Sequence, residues 1–200
     1  MDVCDSGRYQ FQICNHNLLL ADAIHRSTGK RPIFPEYSGL VIDEAHKLPE
    51  TAQQMFGITF MAEELRGLIH SLRRERYLLA SKTLAAAAEP LLKELSRPWD
   101  TQRPFSHFAG LLAGPNRTLS VIHQQLSGLL TPSARKQLEH VSRKVELFHS
   151  RQPELVFYTA ADERGGSMLC ASAADLTAQF RQTLWRQDKP MVLASGTLAV

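Results

Sequence analysis

The chain has 200 residues, of which 44% are hydrophobic and 22% charged, a balance that supplies one or two packed cores and excludes disorder over the whole length. No uninterrupted apolar run nears the roughly 20 residues that span a bilayer, and the opening MDVCDSGRYQ lacks the apolar core of a secretory signal, so a cytoplasmic chain with no membrane partner is expected. The net charge of +3 is uneven: residues 61–152 carry 14 Lys+Arg against 8 Asp+Glu, and the flanks 9 against 12. A basic middle between acidic flanks suits a polyanion, although solvated helix faces give the same count.

Residues 8–60 read as α/β. RYQFQICN ends in a strand-like run, and NHNLLLADAIHR sets Leu18, Leu19, Ala21 and Ile24 at helical spacing before the loop chemistry of STGKRPIFPEYSG. Gly39-Leu40-Val41-Ile42 then predicts a short buried strand of a parallel sheet, stopping at Asp43-Glu44-Ala45-His46. Open α/β sheets place their ligands at such C-terminal strand ends.

From 61 to 152 the period is helical. Leu65, Leu68, Ile69 and Leu72 form one apolar stripe, an alanine-rich stretch covers 82–95, and Leu138, Val141, Val145 and Phe148 form another. Pro98, Pro104, Gly114-Pro115 and Thr131-Pro132 punctuate the segment, with Thr131 suited to cap a helix whose first turn holds Pro132. From Glu154, LVFYT and SMLCAS around Asp162–Gly166 predict a β-hairpin. ADLTAQFRQTLWRQ follows as a helix, and Met191–Ala194 as a last short strand ending in Ser195-Gly196-Thr197. The expected plan is one α/β domain interrupted by a helical insertion, divided as 1–60, 61–152 and 153–200.

The acidic strand tip carries the chemistry. A buried strand delivering two adjacent acids is how phosphate-loop NTPases place a Mg²⁺-holding Asp beside an acid close to the attacking water, which assigns Asp43 to the metal and Glu44 to water activation. Either acid would also serve as a helix N-cap. LVIDEAH, taken with QICNHNLLLAD upstream and VLASGTL at the end, resembles the DinG/XPD branch of superfamily 2 DNA helicases. That resemblance implies a partial RecA-like parallel sheet, ATP and Mg²⁺ as cofactors, single-stranded DNA as partner, a role in DNA repair or replication, and a helical arch between the two motifs. It also implies that His46 couples nucleotide state to Ser195, Gly196 and Thr197.

The family's phosphate loop, GxxxxGK[ST], has no match in the 200 residues, so the missing motor regions of the same polypeptide are expected partners and the chain alone is expected to be inactive. The branch's 4Fe–4S cluster needs four cysteines. Only Cys4, Cys14 and Cys170 are present, with no CxxC pair, and of these Cys4 alone stands near the expected place; Cys14 in a strand and Cys170 in a hairpin read as buried residues.

Asn15 and His16 match the family's NH pair at the DNA or metal site, yet Asn15 equally suits a helix cap. Arg73, Arg74, Arg76, Arg135, Lys136, Arg143 and Lys144 are candidates for strand phosphates or simply solvated. Tyr77, Trp99 and Phe105 would stack on bases or pack in a core. The rival to a helicase is a non-enzymatic helical module, binding protein or nucleic acid beside a degenerate NTPase sheet.

Overall fold

A computed structural model describes residues 11–186 and 189–196. The chain forms two compact units: the described residues up to Gly57 together with those from Ala173 onward, and Ile58–Ser172. Among the described residues, no helix is long and apolar enough to cross a membrane.

In the first unit, helix α1 (His16–Ser27) starts where Asn15 takes up extended backbone and its Oδ1 accepts the Leu18 amide at 2.9 Å, the capping geometry that satisfies a first-turn donor. Strand β1 (Leu40–Ile42) leads through a 3₁₀ turn, Ala45–Lys47, into α2 (Leu48–Phe56), which has a proline in its first turn. The apolar faces of α1 and α2 pack with Ile42 around a core of Leu19, Leu20, Ala23, Leu48 and Ala52.

Residues 8–10 of the strand-like run RYQFQICN lie outside the described residues, and its described part forms no strand. Residues 11–15 carry no strand pairing and Phe11 and Ile13 lie exposed, because the alternating QFQI pattern meets no neighbouring strand among the described residues. The helix expected over 174–187 is also shorter. Further along the chain, α8 spans Thr177–Gln182, and after Thr183 a 3₁₀ turn, Leu184–Arg186, replaces its last turn. The Thr183 hydroxyl donates back to Gln179 O at 2.7 Å, a local bond that competes with helix continuation. Leu176, Phe180 and Leu184 still reach the unit's core. The last strand, β5 (Met191–Leu193), pairs with β1 in parallel, register Leu40↔Met191, Val41↔Val192 and Ile42↔Leu193.

The second unit is mainly helical. Strand β2 (Ile58–Phe60) precedes helices α3 (Ala62–Arg74), α4 (Leu78–Leu95), α5 (Phe105–Ala109), α6 (Ala113–Leu126) and α7 (Pro132–Ser150), and then strands β3 (Leu155–Ala161) and β4 (Ser167–Ala173). Thr131 Oγ1 accepts the Ala134 amide at the start of α7, with Pro132 as its first residue. Gly114-Pro115, expected as a break, lies inside the first turn of α6, where a proline costs no hydrogen bond. Glu64 accepts the Met61 amide at 3.1 Å and the Lys144 ammonium at 2.7 Å, closing the start of α3 and tying it to α7.

The hairpin β3–β4 packs with the helices, and β2, for which no sequence signal was read, completes the sheet in the order β2-β4-β3 with Phe60 opposite Leu169. Phe148 fills the centre, fully buried, its ring 6.2 Å from Phe60, 6.0 Å from Phe105 and 5.8 Å from Phe157. Phe148→Ala removes that shared contact. We expect it to destabilise this unit by about 3–5 kcal/mol, read as a lowered denaturant midpoint at unchanged slope.

Candidate functional site

The β1–β5 ladder continues past both strands: Ala194 N donates to Ile42 O at 2.8 Å and Ala45 N to Ala194 O at 2.9 Å. Two parallel strands that end together bring their following residues to one rim. On one side stand Asp43, Glu44 and His46; on the other, Ser195 and Gly196. Asp43 Oδ1 accepts the Glu44 amide at 2.9 Å, and Glu44 adopts left-handed backbone with φ +49°, a conformation unusual for a residue with a side chain. The chain then tightens into the 3₁₀ turn.

This path sets His46 Nδ1 2.6 Å from Ser195 Oγ and 3.1 Å from Glu44 Oε2. One ring nitrogen therefore faces two partners. As a donor it bonds the carboxylate or the hydroxyl; unprotonated, it accepts from the serine. From the other direction, His16 at the start of α1 brings Nε2 to 2.9 Å from Asp43 O, and because a carbonyl only accepts, the proton sits on Nε2. Asn15 is the cap beside it. Thr197 and Cys4 lie outside the described residues.

Among the described residues, no group of three or more His, Cys, Asp or Glu side chains able to hold a metal occurs. The donor set fits Mg²⁺ as far as one carboxylate goes, since this ion keeps waters and takes phosphate oxygens for the rest of its shell. It does not fit an iron–sulfur cluster. Cys14 and Cys170 belong to different units, and burial raises both thiols, Cys170 to about 11.

A polar clamp behind the rim escaped the sequence reading. Fully buried Asp22 accepts Arg26 Nε at 2.6 Å with one oxygen, and the amides of Ile33 and Phe34 at 2.7 and 3.0 Å with the other. Arg26 continues to Glu36 and to Phe34 O, and Lys189 Nζ reaches Glu36 at 2.8 Å and lies 4.1 Å from the centre of the Tyr37 ring. Hydrogen bonds from Lys189 and Arg26 hold the Glu36 carboxyl below its usual range. The signal was there in Asp22 and Arg26, an i, i+4 pair set among the leucines of one helix.

The basic candidates all lie in the helical unit. Arg73 and Arg74 end α3, Arg76 sits in the turn after it, and Arg135, Lys136 and Arg143 stand exposed along α7, the last two seven residues apart and so on one face. Lys144 is different, being partly buried and committed to Glu64. Of the candidate aromatics, Phe105 is buried in the core and Tyr77 is packed against it, its hydroxyl donating to Leu129 O at 3.1 Å. Trp99 remains partly exposed.

Comparison with known proteins gives a local likeness. A stretch of 56 residues is 38% identical to the ATP-dependent DNA helicase YoaA of Escherichia coli, and 53 residues are 34% identical to YoaA of Haemophilus influenzae. These stretches cover 28% and 26% of the chain, and 9% and 8% of the two helicases. The match thus spans under a tenth of the relatives' length. No protein-family profile matches the chain.

Proposed function

We infer that these residues act within an ATP-dependent DNA helicase of the DinG/XPD type, a cytoplasmic motor that couples ATP hydrolysis to translocation on single-stranded DNA and to duplex unwinding in repair or replication. The observation that carries the reading is the meeting of Glu44, His46 and Ser195 at the tips of two parallel strands, His46 and Ser195 lying 149 residues apart in the chain. Asp43 offers the carboxylate for Mg²⁺, which when bound would neutralise charge on the nucleotide phosphates. Glu44 accepts a hydrogen bond from the attacking water and polarises it. His46 Nδ1 cannot serve Glu44 and Ser195 equally at once, so a shift of Glu44 towards water releases the ring to Ser195, and nucleotide state reaches the Ser195-Gly196-Thr197 segment. His16 fixes the Asp43 backbone against that movement. Arg73, Arg74, Arg76, Arg135, Lys136 and Arg143 supply exposed charge for strand phosphates, with residues 61–152 as the arch.

The test uses the polypeptide translated from the complete reading frame. Phosphate release stimulated by single-stranded DNA is expected there, and none from residues 1–200 alone, which contain no phosphate loop. Turnover by the 200 residues alone overturns this reading. So does a complete frame that lacks GxxxxGK[ST], an outcome that instead favours a helical interaction module beside an inactive sheet.

A further inference from the structure

The helical unit carries a second, more apolar surface that shares only Arg76 with the basic candidates, and it does not depend on the helicase reading. Between the first turns of α4 and the middle of α6 runs a groove of about 720 Å³. Leu78, Leu79 and Val121 line it while standing 52%, 81% and 48% exposed, although every other apolar stripe of these helices turns inward. Aliphatic side chains left in water at one place mark a surface awaiting cover.

The rim selects the occupant. Arg76 and Arg117 line the groove, neither has a carboxylate partner among the described residues, and none of the lining residues is acidic. Arg66, Arg97, Arg103 and Lys144 elsewhere in the unit have one, whereas Arg73, Arg74, Arg135, Lys136 and Arg143 share the lack of one among the described residues; what sets Arg76 and Arg117 apart is that they flank exposed aliphatic side chains. The first turn of α4 has neither a side-chain cap nor an acid, so its positive end adds to the same rim. Stacked bases need an aromatic platform, and the one aromatic in the lining, Tyr77, is packed against the core.

We propose that this groove docks an acidic amphipathic helix of a partner protein, its leucine-type side chains entering between α4 and α6 and its carboxylates meeting Arg76 and Arg117. Helix-in-groove recognition reads apolar anchors at i, i+3 or i+4 and i+7, and the aliphatic lining suits such a stripe.

A phage-displayed library of random 16-residue peptides, selected on the 200-residue chain, tests this. Enriched peptides are expected to combine that apolar spacing with Glu or Asp on the flanks. Leu79→Glu should weaken the best synthetic peptide at least about tenfold, as loss of a central anchor does, and Arg117→Glu should weaken it by turning a rim attraction into like-charge repulsion. Both positions are exposed, and unchanged thermal midpoints will show that both variants fold. The proposal fails if enriched peptides lack the acidic, apolar pattern, if neither variant changes their binding, or if a 20-mer of deoxythymidine displaces them completely and so makes the groove a nucleic-acid surface. Dimerisation of the chain that Leu79→Glu abolishes, with no peptide selected, would equally overturn it in favour of a second copy.

Discussion

Glu44→Gln, introduced into the polypeptide from the complete reading frame, is expected to lower DNA-stimulated ATP turnover by about 10²–10⁴-fold while leaving nucleotide binding intact, the usual range for removing a general base. Glutamine matches glutamate in size, and position 44 is exposed, so the backbone turn with its φ of +49° has no new steric reason to change. The amide can still face His46 Nδ1, now as donor or acceptor, which preserves the contact between the strand tips. What it cannot do is draw a proton from water. Asp43→Asn should separate from it, weakening Mg²⁺-dependent nucleotide binding itself, because the amide oxygen is a poorer ligand for a hard cation. Turnover of Glu44→Gln within tenfold of the unaltered protein would remove Glu44 from its role, and loss of nucleotide binding would assign it to the metal instead.

How far the sequence disclosed this arrangement depended on which force decided each element. Leu40–Ile42 and Met191–Leu193 are legible as paired strands because a brief apolar run ending abruptly in polar residues has few other places to go than a parallel sheet, but the burial expected of them is not met: Ile42 alone of these six is buried, and Val41, Val192 and Leu193 stand exposed because the ladder has two strands among the described residues. Thr131-Pro132 is legible because capping is local chemistry. Residues 11–15 misled for the opposite reason: alternation describes a surface that a strand could bury, and pairing requires a neighbour that the pattern does not contain. Ile58–Phe60 was invisible for the same cause, being a strand only by virtue of Leu169–Ala171, more than a hundred residues later. The bond from His16 to the Asp43 carbonyl spans 27 residues and involves a backbone oxygen, which no motif names. Asp22 hides among leucines, where an apolar helix face is the easier reading, and its partners only converge once the loop to β1 has folded back.

Asp22→Ala should be the most damaging single change in the first unit, costing about 3–5 kcal/mol as removal of one member of a buried ion pair does. The carboxylate is fully buried and satisfies three donors, so its loss leaves Arg26 Nε and the amides of Ile33 and Phe34 without their acceptor, while the rest of the guanidinium keeps Glu36 and Phe34 O. For a unit of this size that corresponds to a midpoint lower by more than about 10 °C. Asp22→Asn keeps the volume and can still accept from the two amides through its carbonyl oxygen, so it should lose less, and the difference between the two variants reports the charged share. Amide exchange at Ile33 and Phe34 should accelerate most in the alanine variant. Since α1 also carries His16, exchange around Asp43 should rise as well, which ties the clamp to the rim. Acid acts on the outer half of the clamp: the Glu36 carboxyl lies below its ordinary 4.5, so its contribution is complete above that pH and fades as the pH falls through the lowered value. Glu36 is exposed, and Glu36→Gln should flatten that acid limb with little effect at neutral pH. A loss under about 1 kcal/mol for Asp22→Ala would show that the loop is held by its apolar contacts and that the buried pair contributes little beyond its own desolvation.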